Sequence, residues 1–259
     1  MSLHMLDDQT INELKAFIKQ QQTSEGGFAD RAGKCDLYYS LFGCYITEAL
    51  DMHEVIPQLK EYIKNVVQNN NLKGVYLHTA AILYAKLFDT ETFPAVLKTK
   101  VHQDLFHTEN KQGTYSGFMS MLTFYYLKDY YGLYRVQKHL KSIGARTEMP
   151  CSVSAALLVL RECFGKPTQS LEKQLHSFRL DNGSFKAITR APAGDLLSTG
   201  VALYAFRFAN SDIRIIAPGC LGYIDSLFSG GGFCATLYDV QPDVEYTFYG
   251  LIALGSLSK

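Results

Sequence analysis

Six segments of this chain follow one pattern, and that repetition limits the folds open to it. Each segment begins with a Ser or Thr, here called the anchor, and continues as a run of small, aromatic and aliphatic residues. The anchors stand 36 to 48 residues apart, a period that fits one helical hairpin with its loops. The six anchors are Ser40, Thr79, Ser116, Ser152, Thr199 and Thr247.

The runs that follow the anchors are apolar on nearly every side, which predicts helices that are buried all round. Amphipathic stretches lie between them. In residues 55–68, apolar side chains recur at helical spacing while Lys60, Glu61 and Lys64 face away. The sequence therefore predicts six outer amphipathic helices that alternate with six inner buried ones. The predicted outer helices cover residues 11–20, 55–68, 96–105, 133–143, 171–178 and 213–228.

Inner helices this apolar can be buried if the six hairpins close into a ring. An open array of hairpins needs polar caps at both ends, but the last repeat stays apolar to within a few residues of Lys259. We therefore expect an all-α fold, an α/α toroid of six helical hairpins that forms a single domain over residues 1–259. An open superhelix of hairpins is the alternative.

The residues before the inner helices share further features. Glycine turns followed by Phe occupy residues 26–28, 181–185 and 230–233; glycine permits the turn and Phe can pin it to the core. An acid four residues before an anchor suits a helix N-terminus. That position holds Asp36, Val75, Gln112, Glu148, Asp195 and Asp243. The position just before the anchor, which a toroid gathers at one mouth of its cavity, holds Tyr39, His78, Tyr115, Cys151, Ser198 and Tyr246.

Composition narrows the classes of function. Lys plus Arg and Asp plus Glu both number 25, so the zero net charge gives no long-range attraction to nucleic acid or to an anionic membrane. No stretch reaches the roughly 20 apolar residues of a membrane span. The first eight residues lack the features of a secretion signal and no cysteines form a CxxC pair, so we expect a cytoplasmic protein with reduced thiols. The 17 Tyr and 16 Phe, with no Trp, predict an aromatic lining for the cavity.

Three segments resemble repeats of protein prenyltransferase β subunits. They are GGFADRAGKCDLYYSLFGCYITEAL from Gly26, DNGSFKAITRAPAGDLLSTGVALYAF from Asp181 and FSGGGFCATLYDVQPDVEYTFYGLIALGSL from Phe228. The same repeat occurs in squalene and related terpene cyclases. The resemblance covers essentially all six repeats and is weak in the third and fourth. It implies the toroid fold and, less specifically, chemistry on isoprenoid substrates.

The resemblance to prenyltransferases also implies a zinc site, made of an Asp, a Cys two residues later and a His just before another anchor. Asp36, Asp195 and Asp243 match the Asp, but none is followed by that Cys. His78 matches the His. We therefore expect neither zinc nor another cofactor. A rearranged zinc site from Cys35, Asp36 and His78 is the alternative.

In the same family, prenyl diphosphate contacts a basic residue after Gly-Gly-Phe, a Lys three residues later and the Tyr that begins the inner helix. Arg31, Lys34 and Tyr39 match that spacing approximately, and cationic side chains suit phosphate oxygens. The alternative is that Arg31 and Lys34 only neutralise the neighbouring aspartates. Lys186 and Arg190, in the corresponding loop of the fifth repeat, present the same choice.

The terpene cyclases use an Asp-x-Asp-Asp acid, which is absent; Asp239 and Asp243 form the nearest pair. The candidate site therefore comes from the prenyltransferase-like positions and the predicted mouth. The candidate catalytic residues are Asp36, Tyr39, His78, Asp243 and Tyr246. The candidate ligand-binding residues are Arg31, Lys34, Tyr38, Tyr115, Cys151, Asp195 and Ser198.

These features predict a prenyltransferase-like or terpene-cyclase-like protein whose aromatic-lined cavity binds an isoprenoid diphosphate. Zinc-dependent protein prenylation is disfavoured, and the sequence leaves open whether the protein is an enzyme. The alternative is a non-catalytic binding module, or pseudoenzyme, that uses the toroid mouth for a hydrophobic ligand or partner. A third hypothesis is a protein that binds a protein partner through its outer helices.

Overall fold

The computed structural model describes residues 3, 5–69, 71–88, 90–107, 113–140 and 149–258. These residues form twelve α-helices and four strands of two residues each, which confirms the predicted all-α class. Helices that carry an anchor, here called anchor helices, alternate with amphipathic helices. The anchor helices are α2 (Leu37–Ala49), α4 (Gly74–Leu87), α6 (Gly113–Tyr126), α8 (Cys151–Cys163), α10 (Leu196–Phe208) and α12 (Val244–Leu257). The amphipathic helices are α1 (Asp8–Gln21), α3 (Ile56–Asn69), α5 (Ala95–His107), α7 (Tyr130–Leu140), α9 (Gln169–His176) and α11 (Ala217–Asp225).

Two short antiparallel hairpins, which the helical repeat did not predict, lie at the glycine turns. Strands β1 (Phe28–Ala29) and β2 (Cys35–Asp36) pair in the first repeat. Strands β3 (Phe228–Ser229) and β4 (Gly232–Phe233) pair in the last. Two-residue strands carry too few residues for an alternating pattern, so hydrophobic periodicity cannot reveal them.

The chain divides into two compact units. The first unit comprises residues 22–144, and the second comprises residues 1–21 and 145–259. Within the first unit α4 packs against both α2 and α6, and within the second α10 packs against both α8 and α12. Each unit therefore contains a row of three neighbouring anchor helices. Helix α1 belongs to the second unit, where it contacts β4.

The anchor hydroxyl ties each glycine turn to its helix. Ser40 Oγ accepts a hydrogen bond from the Phe28 N–H at 2.9 Å and donates to the Asp36 carbonyl at 2.7 Å. Thr199 Oγ1 repeats both bonds in the fifth repeat, at 3.0 Å to the Phe185 N–H and 2.7 Å to the Asp195 carbonyl. In the sixth repeat, Thr247 Oγ1 accepts from the Phe233 N–H at 3.1 Å. All three phenylalanines are buried, as their predicted role in pinning the turns requires. The buried rings are Phe28, Phe185 and Phe233.

Three of the acids predicted to suit helix N-termini are N-caps. Asp36, Asp195 and Asp243 have extended backbones, and their carboxylates accept N–H bonds from the first turns of α2, α10 and α12. These bonds satisfy amides that a helix leaves without an internal partner. At the same position, Gln112 and Glu148 lie outside the described residues.

Aromatic side chains of the anchor helices point to opposite sides. In α10, Tyr204 and Phe208 are 40% and 38% exposed, whereas Phe206 is buried and stacks on His176 of α9. Residues two apart in a helix lie on nearly opposite faces, so a run of aromatics cannot all line one cavity. Phe124 of α6 is likewise buried. Phe206 therefore packs inside its own hairpin, between α9 and α10.

Candidate functional site

The β1–β2 hairpin of the first unit carries two of the residues that are candidates for binding a diphosphate. Asp30 Oδ1 accepts hydrogen bonds from the Ala32 and Lys34 N–H groups at 2.8 and 2.9 Å, and Gly33 has a φ of +76°. This tight turn leaves the side chains of Arg31 and Lys34 exposed at the tip. The Asp30 carboxylate is thus held by backbone groups of its own turn.

Asp36 joins the hairpin to the anchor helices. Its Oδ1 caps α2 by accepting the Tyr38 and Tyr39 N–H groups at 2.7 and 2.9 Å. Its Oδ2 accepts from the Tyr76 hydroxyl of α4 at 3.2 Å, and the negative charge of Asp36 raises the pKa of that hydroxyl. The Tyr38 ring meets Phe42 edge-on at 4.7 Å. The two candidates Tyr38 and Tyr39 thus lie beside the candidate Asp36.

The residues of the rearranged zinc site turn away from one another. Successive residues of a strand point to opposite faces, and Cys35 hydrogen-bonds Tyr62 of α3 while Asp36 faces Tyr76 of α4. His78 is buried and contacts α5 and α6. Among the described residues, no three His, Cys, Asp or Glu side chains are grouped as metal ligands would be. Cys35, Asp36 and His78 therefore face separate partners in this structure.

His78 is part of a buried polar cluster that sequence reasoning missed. Its Nδ1 lies 2.9 Å from Thr123 Oγ1, whose own proton goes to the Met119 carbonyl at 2.8 Å. Nδ1 must therefore carry a proton and donate it to Thr123. Nε2 faces both Ser120 Oγ at 3.4 Å and Asp104 Oδ2 at 3.3 Å.

The cluster is not arranged as a Ser-His-Asp catalytic triad. A triad places the carboxylate on one imidazole nitrogen and the serine on the other, whereas both groups face Nε2 of His78 here. Ser120 is also fully buried, so a substrate carbonyl could not approach its hydroxyl. His78 therefore links helices α4, α5 and α6.

The second unit brings three candidate ligand-binding residues together. Ser198 Oγ donates to Asp195 Oδ2 at 2.9 Å, and the Ser198 carbonyl lies 3.6 Å from Cys151 Sγ. Burial raises the pKa of the Cys151 thiol, and the Asp195 charge raises it further. A thiol in this state is a poor nucleophile. Burial also raises the pKa of Asp195, although bonds from Ser198 oppose that change.

Asp243 and Tyr246 begin α12 in the same unit. Asp243 is buried, and its Oδ1 accepts the Tyr246 N–H at 2.8 Å. Burial raises the pKa of Tyr223, and the charge of Asp195 and the neighbouring Tyr246 raise it further. The remaining candidate, Tyr115, lies in α6, but its side chain is outside the described residues.

Two polar clusters of the first unit lie outside the predicted site. Asp129 accepts from His102 Nε2 at 2.9 Å, and Arg135 lies 3.0 Å from His102 Nδ1. His102 also lines a cavity of about 430 Å³ along α5. Lys86 pairs with Glu48 at 2.6 Å beside a second cavity of about 340 Å³. Each cluster joins residues from separate repeats, so no local sequence motif predicts either cluster.

Comparison with known proteins finds no matching family model, no matching curated protein and no matching solved structure. Among the described residues, no helix combines the length and apolar character needed to cross a bilayer.

Proposed function

We propose that this protein binds an isoprenoid diphosphate, with the diphosphate held at the β1–β2 hairpin of the first unit. The observation that carries the proposal is the exposed pair Arg31 and Lys34 at the hairpin tip, next to the tyrosines that begin α2. Guanidinium and ammonium groups form charge-assisted hydrogen bonds to phosphate oxygens. The acids of this region, Asp30 and Asp36, accept backbone N–H groups.

The apolar tail of the ligand would lie on tyrosine rings near the same hairpin. Tyr76 is 48% exposed and its hydroxyl is fixed by Asp36. Tyr38 and Tyr39 are half-buried at the start of α2. Tyrosine offers a large apolar face together with a polar tip, which suits a prenyl chain that ends in a charged group.

A non-catalytic binding module is the second candidate function, and the engagement of the candidate catalytic groups favours it. Asp36 and Asp243 are N-caps, and His78 is buried among helices. Moving any of these groups to a substrate would break a hydrogen bond that supports the fold. A protein that binds a ligand without zinc-dependent transfer is consistent with candidate catalytic groups that already form structural hydrogen bonds.

We also propose that the six hairpins form the expected α/α toroid. Two contacts support it. Anchor helices pack against anchor helices of adjacent repeats in both units. Helix α1, which precedes the first anchor helix, packs on β4 of the sixth repeat, as the neighbouring first and last hairpins of a ring would.

Calorimetric titration with farnesyl diphosphate, farnesol and inorganic pyrophosphate tests the ligand. We expect farnesyl diphosphate to bind more tightly than either fragment, with or without zinc. The double variant Arg31→Gln/Lys34→Gln should weaken that binding at least tenfold, because two charge-assisted contacts are lost. Lys166→Gln, at an exposed lysine of the second unit, is the matched control.

The proposal fails if wild-type protein gives no heat with farnesyl diphosphate, or if the double variant binds as tightly as wild type. Release of pyrophosphate from the bound ligand separates the two candidate functions. Turnover that is lost in Asp36→Asn, while binding is kept, would favour the transferase-like function over the binding module.

A further inference from the structure

Two loops of the second unit expose large apolar side chains. They are residues 186–194, before α10, and residues 234–242, before α12, and are here called the tip loops. Tyr238 and Val240 are 86% and 91% exposed, and Ile188 and Leu237 are 50% and 54% exposed. Single exposed apolar residues are ordinary, but four on two loops mark an interaction surface.

The tip loops are adjacent and held in place by hydrogen bonds. The Leu196 N–H donates to the Ala235 carbonyl at 2.9 Å, which joins the start of α10, just after the first loop, to the start of the second loop. The Tyr223 hydroxyl donates to the Gly194 carbonyl at 3.1 Å. The apolar side chains are therefore presented by a defined backbone.

The charges on the tip loops are mainly cationic at the surface. Lys186 and Arg190 lie in the first loop, and the Lys186 ammonium donates to the Thr189 carbonyl of the same loop at 3.1 Å. Among the described residues, no carboxylate lies within ion-pair distance of either cation. Asp239 instead accepts the Ala235 and Gln241 N–H groups, both at 3.3 Å.

The apolar side chains are highly exposed on loops, and this favours a deformable partner. Loop tips that carry Leu, Val and Tyr beside Lys and Arg have the composition of segments that lie in the membrane interface. Cationic groups at such a site attract anionic headgroups. The corresponding hairpin tip of the first repeat carries Arg31, Gly33 and Lys34 and no large apolar side chain, so the first repeat lacks the apolar tip of the fifth and sixth.

We propose that the tip loops dock this protein on the surface of an anionic phospholipid membrane. Leu237, Tyr238 and Val240 enter the boundary between headgroups and acyl chains, while Lys186 and Arg190 contact the headgroups. This docking needs no membrane-spanning helix and does not depend on the isoprenoid ligand proposed above.

Sedimentation with large unilamellar vesicles tests the docking. Wild-type protein should bind vesicles of 70% phosphatidylcholine and 30% phosphatidylserine more tightly than vesicles of phosphatidylcholine alone. The triple variant Leu237→Ser/Tyr238→Ser/Val240→Ser should bind at least tenfold more weakly to both, because its apolar contacts are lost. The double variant Lys186→Gln/Arg190→Gln should bind phosphatidylserine vesicles about fivefold more weakly for each residue replaced, and its binding to phosphatidylcholine vesicles should not change.

Ile215→Ser is the matched control, since Ile215 is 92% exposed but follows the other end of α10, about 20 Å from the tip loops along the helix. Circular dichroism verifies that each variant is folded. Wild-type protein that stays in the supernatant with both vesicles overturns the proposal and points to a protein partner. Equal loss of binding in Ile215→Ser and the triple variant also overturns it.

Discussion

The anchor hydroxyl has different surroundings in different repeats, and this difference can be tested residue by residue. Thr199 bonds both the Phe185 N–H and the Asp195 carbonyl. Thr79 lies in a repeat without a glycine turn, and its buried hydroxyl has no hydrogen-bond partner among the described residues. Removing a hydroxyl is costly only where it leaves another buried group unsatisfied.

We predict that Thr199→Val lowers the free energy of unfolding by about 1–3 kcal/mol, because the buried Phe185 N–H loses its acceptor. Thr79→Val should be neutral or stabilising. Urea denaturation followed by circular dichroism measures both values. Thr199→Ser, which keeps the hydroxyl, is the control, and equal losses in the two valine variants would contradict the prediction.

Gly43 is required by the ring that packs on it. A Cβ at this position would lie 2.3 Å from Cδ2 of Phe28, far inside van der Waals contact. We predict that Gly43→Ala lowers stability by about 1–3 kcal/mol in spite of the better helix propensity of Ala. At Gly222 of α11 a Cβ would meet nothing within 4 Å, so Gly222→Ala should raise stability by up to about 1 kcal/mol. Thermal unfolding of both variants compares them, and a stabilised Gly43→Ala would rule the packing argument out.

Individual residues differ in how well the sequence predicts their surroundings. The caps were predictable because Asp36, Asp195 and Asp243 act on amides only two or three residues away. The partners of His78 lie up to 45 residues away, on α5 and α6, and no local pattern connects them. Packing between helices, which local spacing does not encode, decides where the His78 ring points.

At the scale of the helix, the Asp195 cap combines two opposing effects. Its carboxylate accepts the Ser198 N–H at 2.7 Å, which stabilises α10. Its burial nevertheless raises the pKa above the ordinary value of 3.8. A carboxyl whose pKa is raised by folding contributes stability below its unfolded pKa, and that contribution is lost as the pH rises through the folded pKa.

We therefore predict that Asp195→Asn gains stability relative to wild type as the pH rises from 3 to 7, because Asn keeps a capping oxygen without the buried charge. Asp195→Ala should lose about 1 kcal/mol at neutral pH for want of the cap. Urea midpoints across this pH range test the sign. If the wild-type protein instead becomes more stable relative to Asp195→Asn as the pH rises, the charge of Asp195 is stabilising.

The alternation of elements was predictable because the two kinds of helix bury different amounts of surface. Apolar runs and amphipathic stretches differ in sequence, and the described part of the chain contains twelve helices in the predicted order. Helix bounds were less predictable. Helix α11 begins at Ala217, with Pro218 in its first turn, and residues 228–229 form β3 instead of extending the helix. Proline suits a first turn and cannot continue a preceding one.

At the scale of the whole molecule, the repeat period predicts how many hairpins form but not which ones touch. The contact between α1 and the sixth repeat joins residues more than 200 positions apart. At Gly231 and Gly232, a Cβ would lie 3.1 and 2.8 Å from atoms of Phe17. Two adjacent glycines against a buried ring are a local trace of this contact, and they also belong to the predicted turn between β3 and β4.

The ring proposal makes α1 part of the last repeat's core, and Phe17 tests this. We predict that Phe17→Ala lowers stability by about 3–5 kcal/mol, because a buried ring is removed. Amide exchange should then accelerate most in β3, β4 and α12, since these elements share the second unit with α1. Lys19→Ala, on the exposed side of α1, should leave exchange unchanged. If exchange accelerates in α1 alone, α1 only leans on a sixth repeat that folds without it, and the hairpins gain no support from closure.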